Sequence, residues 1–520
     1  MNAAIRTPTA MLLTAALAVG LAVISVMLHG VPQPRIQDEF SYLLAADTFA
    51  HGRVTNPTHP QWRHFETMHV LFNPTYQSMY PPAQGLALAL GQKIRHPIVG
   101  VWLGIGLMAG ALTWMLRGWL SGRWALAGGL LAVAQFVLLG EEFAGGVIGY
   151  WSQTYWGGAL AATGGALVIG AWPRIRRRAR ARDTALLGLG LLLLAHSRPY
   201  EGLVASVPVG IVLLIWLARS AAVSWRSARI VLPLALMGVL ILSSVALYNK
   251  RVTGDCLKMP FIAHHEQYCV FPVLLCQQPR PGGQWNHPAL AEFHGQWEPQ
   301  LYSRHTSPAG FLRETAKKLH RLWAFYLGPL LSIPFVAALT LGRRRRTVPL
   351  AAGTLAVTLL AVLLCVRAAP HYLAPAAAAL VLLVISGFRE LFFVRLRGRP
   401  VGRCLAIGLF AACWVLALGA LAMPDRGNRD PSRHMNTRAE IQSDLEVRGG
   451  RHLILVSYGP RHSVLNEWVY NAADIDGAPV VWARDLGPDR NRALLEYFKD
   501  RTVWRLHVDD DAVPPQLKAP

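Results

Sequence analysis

Long apolar blocks, separated by arginine-rich or polar turns, dominate the pattern of this 520-residue chain. The blocks cover residues 10–28, 98–116, 124–139, 155–172, 184–196, 203–217, 230–248, 322–341, 348–366, 372–388 and 404–423. A helix needs about 20 apolar residues to cross about 30 Å of hydrocarbon, and most blocks approach that length. We therefore predict a polytopic α-helical membrane protein with about eleven transmembrane helices. The first block exceeds the apolar core of a signal peptide and no small-residue cleavage site follows it, which favours a retained anchor.

Arginine residues mark alternate turns between the blocks. The clusters lie at 117–123, 174–182, 219–229, 343–346 and 389–403. With eleven crossings and a cytoplasmic N-terminus, all of them fall on the cytoplasmic side, as the positive-inside rule requires. The same topology places the loops 31–97 and 249–321, and everything after 423, on the outer face. It also explains the formal net charge of +22 without nucleic acid as a partner.

Composition excludes an ordinary soluble enzyme, because 53% of the residues are hydrophobic and the mean hydropathy is +0.31. Charged residues inside membrane spans usually mark function, yet hardly any occur near the middle of the predicted spans. Acids, imidazoles and guanidinium groups gather instead in the outer turns. We therefore expect any chemistry at the outer membrane interface.

The acidic pair Asp38 and Glu39 follows the first apolar block and opens the amphipathic stretch DEFSYLLAADTFAHG. A carboxylate pair at a membrane surface indicates acid-base chemistry there. The alternative is structural, because acidic residues also favour the first turn of a helix, where they meet unpaired amides and the positive end of the dipole. Both interpretations stay open from the sequence.

Two outer turns supply cations. HSRPYEG contains His196 and Arg198, and RAAPHY contains Arg367 and His371. Arginine suits a phosphate because its planar fork makes paired hydrogen bonds. Alternatively, Arg198 pairs with Glu201, or these side chains simply extend to the membrane surface.

The second outer loop contains three cysteines, Cys256, Cys269 and Cys276. An oxidising exterior favours a disulfide between two of them, with connectivity left open. A metal site is the weaker alternative, since the spacings match no familiar ligand pattern.

Hydropathy falls after residue 423. We predict a transmembrane domain over 1–423 and a small soluble extracytoplasmic α/β domain over 424–520. LILVSY, PVVWA and TVWRLHV are typical of strands, and the segments NEWVYNAAD and NRALLEYFKD of helices, which together indicate a sheet with parallel strands. The region has no Gly-rich phosphate loop, so we expect no catalytic role for it.

The order of these features resembles a known family. A transmembrane helix, an outer loop beginning Asp-Glu-x-x-Tyr (Asp38, Glu39, Tyr42) and a later Tyr80-Pro81-Pro82 leading into GLALALG resemble GT-C-type glycosyltransferases. The likeness is to the protein O-mannosyltransferase and aminoarabinose transferase branch, over residues 10–388. Tyr80 stands where that branch commonly has lysine, so a lysine contact to phosphate is not expected here.

The resemblance implies an inverting glycosyltransferase that moves a sugar from a polyprenyl-phosphate donor to a glycan, lipid or protein acceptor. The reaction takes place on the extracytoplasmic face, which we expect to be the periplasmic side of a bacterial inner membrane. No cofactor is certain, and a divalent cation stays open; membrane lipids are partners and nucleic acid is not. The expected site residues are Asp38 as base with Glu39 second, Arg198, Arg367, His196 and His371 at the donor phosphate, and Tyr42, Tyr80, Glu141 and Glu142 at the substrate.

Two other classes of protein compete with this interpretation. A flippase or transporter of lipid-linked sugars would place substrate groups at mid-membrane and often shows two similar halves, neither of which the sequence has. A non-enzymatic membrane interaction protein would tolerate the loss of Asp38, whereas an enzyme would not.

Overall fold

The structure is a computed structural model that describes residues 6–139, 149–219, 225–342, 345, 347–423, 435–509 and 515–518. The elements of the first half are α1 (Thr7–His29), α2 (Gln37–Ala50), β1 (Val70–Leu71), β2 (Gln77–Ser78), α3 (Pro82–Ile94), α4 (Pro97–Trp119), α5 (Gly122–Val133), α6 (Ala159–Arg178), α7 (Ala181–Ala195), α8 (Pro199–Arg219) and α9 (Trp225–Thr253). The second half contains α10 (Pro260–Tyr268), α11 (Pro288–Glu292), α12 (Glu298–Ser303), α13 (Pro308–Tyr326), α14 (Gly328–Thr340), α15 (Thr347–Leu364), α16 (Ala377–Phe392), α17 (Val401–Ala422), α18 (Met435–Arg448), β3 (His452–Tyr458), β4 (Val480–Arg484), α19 (Pro488–Tyr497), β5 (Thr502–Val508) and β6 (Leu517–Lys518).

The protein is an integral membrane protein with multiple apolar helices. Each of the eleven predicted blocks overlaps a helix. Within the described residues, seven helices are long and apolar enough to cross a membrane, or up to eight if the bent pair α13 and α14 counts as one span. The blocks at 124–139, 155–172 and 184–196 lie in α5, α6 and α7, which fall short of that length or hydropathy. The larger count of eleven spans therefore stays a prediction.

The predicted span at 322–341 is wrong as a single straight helix. The chain turns by 91° between α13 and α14, so that α13 runs across the direction of the span. Gly328 sits at the corner with φ of +52°, a left-handed conformation that glycine adopts without steric cost. The span predicted at 372–388 also starts late, because short 3₁₀ turns at Pro370–Tyr372 and Ala374–Ala376 precede α16.

Small and hydroxyl-bearing residues bring the membrane helices close together. Thr14 of α1 and Thr113 of α4 hydrogen-bond through their hydroxyls at 2.9 Å, both buried. At Gly387 of α16, an added Cβ would come within 1.6 Å of the Pro334 carbonyl oxygen of α14. Small residues let membrane helices pack closely and gain van der Waals contacts. These contacts matter because lipid tails are themselves apolar, so the hydrophobic effect does not drive the helices together.

The C-terminal region contains a mixed sheet in the order β4-β3-β5-β6. β3 pairs in parallel with β4 and β5, as predicted, and β6 adds an antiparallel edge. The helix predicted around NEWVYNAAD is wrong, since this segment is an irregular loop. Side chains there bond to the backbone instead: Glu467 accepts from the Val469 amide, and Asn471 bonds both the amide and the carbonyl of Trp482. The bond from the Val469 amide to Glu467 is local, and bonds of that kind compete with helix formation.

The C-terminal region packs on the first outer loop. The rings of Tyr470 and Phe40 stack with centroids 4.3 Å apart, and the Tyr76 hydroxyl donates to the Asn471 carbonyl. The Arg484 guanidinium donates to the Glu66 carbonyl. These contacts fix the outer loop that carries Asp38, while a domain boundary at 423 stays a prediction.

Candidate active site

A cavity of about 1590 Å³ lies where the two outer loops meet the ends of several helices. Its walls come from widely separated stretches of the chain. The predicted site residues among its lining are Asp38, Tyr42, Tyr80, His196, Arg198, Arg367 and His371. The structure thus brings together carboxylate, guanidinium, imidazole and phenol groups that the sequence leaves apart. Glu141 and Glu142 lie outside the described residues.

Asp38 occupies the first turn of α2, but its side chain does not cap that helix. Its Oδ1 accepts a hydrogen bond from the Tyr80 hydroxyl and lies 3.2 Å from Nδ1 of His69. The carboxylate is 28% exposed, toward the cavity. These contacts lie at the cavity rather than at the backbone amides of α2, and the role of Asp38 as a base stays a prediction.

The electrostatic surroundings keep Asp38 ionised. Burial acts to raise its pKa, but the nearby His69, Arg367 and Arg198 outweigh burial and hold the pKa below its usual value. A carboxylate in this state is available to accept a proton at neutral pH.

Glu39 faces a different environment and does not line the cavity. Its two oxygens accept the backbone amides of Arg35 at 2.8 Å and of Tyr155 at 3.0 Å. The side chain is only 3% exposed, and burial raises its pKa to about 7 against the opposing effect of these amides. These bonds tie the start of α2 to the segment before α6, and the second place of Glu39 as a base stays a prediction.

Arg198 stands at the start of α8 with its guanidinium carbon 4.6 Å from the centre of the Tyr372 ring. It interacts electrostatically with Tyr42 and with Glu201, the partner that the sequence left open. Arg198 therefore has neighbours that hold it at the cavity wall.

Arg367 is held by a carboxylate and an aromatic ring. One of its terminal nitrogens lies 2.8 Å from Oε1 of Glu298, and its guanidinium carbon is 4.9 Å from the centre of the Trp297 ring. Burial opposes ionisation of Glu298, but His294 and Arg367 lower its pKa to about 2. This ion pair fixes the direction in which Arg367 points.

His196 and His371 line the cavity as neutral groups rather than cations. His371 bonds the Tyr150 hydroxyl at 2.8 Å, and His196 bonds the Ser244 hydroxyl at 2.8 Å. Burial lowers the pKa of both imidazoles. They can therefore hydrogen-bond a substrate, but they add no positive charge near neutral pH.

Tyr42 and Tyr80 form one wall of the cavity. Their rings stack with centroids 4.5 Å apart and an interplanar angle of 18°. Burial raises the pKa of the Tyr42 hydroxyl, which therefore stays protonated. The Tyr80 hydroxyl donates to Oδ1 of Asp38.

His69 is a site residue that sequence reasoning missed. The first outer loop contains five histidines, and no spacing among them marks His69 as a site residue, so only its position in the fold reveals it. One signal comes from the backbone, because His69 has φ of +61°, which is uncommon for a residue other than glycine. Its side chain lines the cavity next to Asp38.

The predicted disulfide in the second outer loop is wrong, because Cys256, Cys269 and Cys276 are all free thiols. Cys269 is buried and lies 3.5 Å from Nδ1 of His294, which in turn is 2.7 Å from Glu298. Ligand atoms of Cys269, His294 and Glu298 all lie within 4.8 Å of one another, which is the spacing of a metal site. Thiolate, imidazole and carboxylate are also the donor types that zinc prefers.

No protein-family model and no curated protein matches the chain. Among solved structures, ArnT from Cupriavidus metallidurans in the apo state is similar, with a TM-score of 0.50 and 14% identity over 96% of this chain and 92% of that one. The same protein bound to undecaprenyl phosphate gives a TM-score of 0.49 and 13% identity, over 96% and 93%. The Archaeoglobus fulgidus oligosaccharyltransferase in complex with zinc and sulfate gives 0.47 and 10%, over 85% of this chain and 60% of that one.

At 14% identity the likeness to apo ArnT concerns the fold alone, and it extends over almost the full length of both chains. The two lower scores add nothing to this assignment, and this chain spans only 60% of the archaeal enzyme. The predicted family resemblance is confirmed at the level of the fold. The chain is a polytopic helical membrane protein with a GT-C-like fold, similar in structure to ArnT.

Proposed function

We propose that this protein is an inverting glycosyltransferase that moves a sugar from a polyprenyl-phosphate donor to an acceptor outside the cytoplasm. The observation that carries the proposal is the meeting of Asp38, Arg198 and Arg367 in one cavity. A carboxylate held ionised next to two guanidinium groups fits a reaction that needs a base and stabilises a leaving phosphate.

The reaction follows from these groups. An acceptor hydroxyl loses its proton to Asp38 as its oxygen attacks the anomeric carbon. The bond from that carbon to the phosphate oxygen breaks, and the electron pair leaves with the polyprenyl phosphate. Arg198 and Arg367 stabilise the charge that develops on the phosphate. Attack opposite the leaving group inverts the anomeric configuration.

The apolar part of the cavity fits a lipid-linked donor. Beyond the charged groups, its wall includes Leu203 of α8, Val245 of α9, and Phe261 and Ile262 of α10. Along α9, Leu236, Val239 and Leu242 are 61%, 63% and 72% exposed, as expected for a lipid-facing helix. A polyprenyl chain could pass between these surfaces while its phosphate stays at the arginines.

Contacts at the opposite ends of the helices support the outer orientation of the site. Arg117 donates to the Thr7 hydroxyl, and Arg174 donates to the Trp114 carbonyl. The start of α1, the end of α4 and the end of α6 are thus on one side, together with the basic clusters. The positive-inside rule makes that side cytoplasmic. The proposed site, at the other side, faces the periplasm if the host is a bacterium.

A divalent cation could take part through Cys269, His294 and Glu298, next to Arg367. Metal analysis of the purified protein and of Cys269→Ser tests this. Stoichiometric zinc that disappears in the variant would support a metal site. An active wild-type protein without bound metal would restrict the three residues to holding Arg367.

The decisive assay uses purified full-length protein with a panel of polyprenyl-phosphate sugars and measures release of free polyprenyl phosphate. We expect turnover with at least one donor, and weaker donor binding or turnover in Arg198→Ala and Arg367→Ala. Donor binding without release would favour a flippase or a binding protein. No binding and no release, beside a working glycosyltransferase control, would remove the proposal.

A further inference from the structure

Two side chains, those of Tyr80 and His69, meet at one oxygen of the proposed base. The Tyr80 hydroxyl donates to Oδ1 of Asp38, and Nδ1 of His69 lies 3.2 Å from the same oxygen. The Tyr80 hydroxyl and the His69 Nδ1 are themselves 3.2 Å apart. With its proton on Nδ1, His69 is a second donor to that oxygen.

The two carboxylate oxygens of Asp38 therefore have different surroundings. Both protein contacts of Asp38 are made by Oδ1, and among the described residues none is made by Oδ2. The side chain lines the cavity and is 28% exposed. Oδ2 is therefore the oxygen that can receive a proton from an acceptor in the cavity.

The backbone of His69 has a conformation that is uncommon for a residue other than glycine. Its φ is +61°, and its carbonyl accepts the Ser41 hydroxyl at 2.7 Å, which also bonds the Ser78 hydroxyl at 2.7 Å. Ser41 lies one turn after Asp38 on α2, so the same helix carries the proposed base and the hydroxyl that bonds the His69 carbonyl. Sparsely populated conformations persist where the surroundings enforce them, and they concentrate at functional sites.

Packing also fixes the imidazole ring of His69. It meets the rings of Tyr80, Phe293 and His264 edge-on, at centroid distances of 5.9, 5.7 and 6.2 Å. A ring enclosed in this way has little freedom to turn its Nδ1 away from Asp38. The side chain is only 4% exposed, so solvent competes little for the contact.

We propose that His69 and Tyr80 are positioning residues that hold Asp38 through Oδ1, so that Oδ2 takes the acceptor proton. The inference rests on the proposed function and assigns a role to two further residues of the same site. Neither residue gives up a proton: the acceptor proton passes to Oδ2, the new glycosidic bond forms, and the electron pair of the broken bond leaves with the phosphate.

Removing either donor should change the titration of Asp38. A donor to the ionised carboxylate stabilises the charged form, so its loss raises the pKa. The remaining charged and titratable groups around Asp38 are unchanged by these substitutions. They are Arg198 at the start of α8, Arg367 and Tyr372 between α15 and α16, Tyr42 on α2, and Tyr470 in the C-terminal region.

Two substitutions at His69 separate the donor from the backbone. Glycine suits a positive φ but offers no donor, whereas asparagine also tolerates this conformation and offers a side-chain N–H. His69→Gly and His69→Asn thus differ mainly in the hydrogen bond to Asp38. Tyr80→Phe removes the other donor and keeps the ring that stacks on Tyr42.

The first measurement needs no turnover. The Asp38 carboxyl is titrated in full-length protein in nanodiscs by difference infrared spectroscopy, with Asp38→Asn as the blank. We expect its apparent pKa to rise by roughly one unit in His69→Gly and Tyr80→Phe, and to rise less in His69→Asn. Unchanged titration in both donor-free variants, or an equal rise in His69→Asn and His69→Gly, overturns the inference.

The second measurement uses the donor that the wild-type protein turns over. We expect kcat to fall by about tenfold or more in His69→Gly and Tyr80→Phe, with KM little changed. The acid limb of the pH profile should move to higher pH in both variants. Added imidazole should restore part of the rate of His69→Gly. Wild-type turnover with an unshifted profile in both variants contradicts the positioning role and leaves the proposed function standing. Absence of wild-type turnover contradicts the function, while the titration still decides the contact.

Discussion

Asp38 and Glu39 are sequence neighbours with opposite surroundings. Successive side chains on a helix point about 100° apart, so α2 sends one carboxylate into the cavity and the other into protein. Asp38 meets a phenol and an imidazole, whereas both oxygens of Glu39 bind backbone amides. The two acids cannot therefore act as a close pair, and each has its own test.

Asp38→Asn should reduce transfer by roughly 10² to 10⁴-fold, because an amide cannot accept the acceptor proton. Expression, folding and donor binding should be preserved, since asparagine is similar in size and suits a helix start. Release of free polyprenyl phosphate measures the effect. Transfer at the wild-type rate in this variant would exclude Asp38 as the base.

Glu39→Gln should affect stability rather than chemistry. Glutamine has one carbonyl oxygen, so its NH₂ group must face one of the two amides that Glu39 now accepts, and a buried donor loses its partner. The expected cost is about 1–3 kcal/mol of unfolding free energy. Thermal unfolding measures it, alongside transfer per folded molecule. A stable but inactive Glu39→Gln protein would move the base role to Glu39.

At the scale of elements, the corner between α13 and α14 shapes the cavity. α13 exposes Leu312 and Trp323 and buries Phe325 and Tyr326, and its Lys318 ammonium donates to the Cys365 carbonyl. The 91° turn lets α13 lie across the end of the bundle, where its residues reach the cavity wall. A straight helix would carry them away from Arg367.

Gly328→Ala should destabilise this corner. An alanine at φ of +52° costs about 1–2 kcal/mol, although its Cβ would meet no atom within 4 Å. Gly408→Ala in α17 is the matched control, because its Cβ also meets nothing within 4 Å and its backbone is helical. We expect a lower unfolding temperature for the first variant only. Equal stability of the two would show that the corner does not depend on glycine.

For the whole molecule, the orientation in the membrane decides where the cavity opens. Cys256, Cys276 and Cys404 are exposed free thiols at different ends of the bundle. The proposed topology puts the first two outside and Cys404, beside the basic cluster at 389–403, inside. These native thiols can therefore report the topology of the chain by chemical labelling.

A membrane-impermeant maleimide applied to intact cells should label the wild-type protein and fail to label Cys256→Ser/Cys276→Ser. Lysis should then make Cys404 reactive in the double variant. The expectation follows from the positive-inside rule and from the free state of both outer thiols. Labelling of the double variant in intact cells would show that the topology is inverted. Labelling of the wild-type protein only after reduction would indicate a disulfide between the outer thiols.

Several features follow from the sequence alone, because they depend on local composition. Apolar blocks must form helices in hydrocarbon, where every backbone polar group needs an internal partner, and each predicted block does overlap a helix. The kinds of chemistry open to Asp38, Arg198 and Arg367 likewise follow from residue type. The alternation of predicted strands and helices after residue 423 also indicates the parallel pairs of β3 with β4 and β5, although the first of these helices is a loop.

Only the tertiary structure decided which of these groups meet. His69 lies beside Asp38 with its carbonyl bonded to the Ser41 hydroxyl, and Glu298 reaches Arg367 across 69 positions of the chain. In the loop that replaces a predicted helix, Asn471 bonds the Trp482 amide of β4, a partner that only folding brings next to it. These contacts join residues far apart in sequence, so no local period encodes them. The sequence therefore determined the helices and the kinds of chemistry, and the fold determined the site, because a site consists of distances between segments.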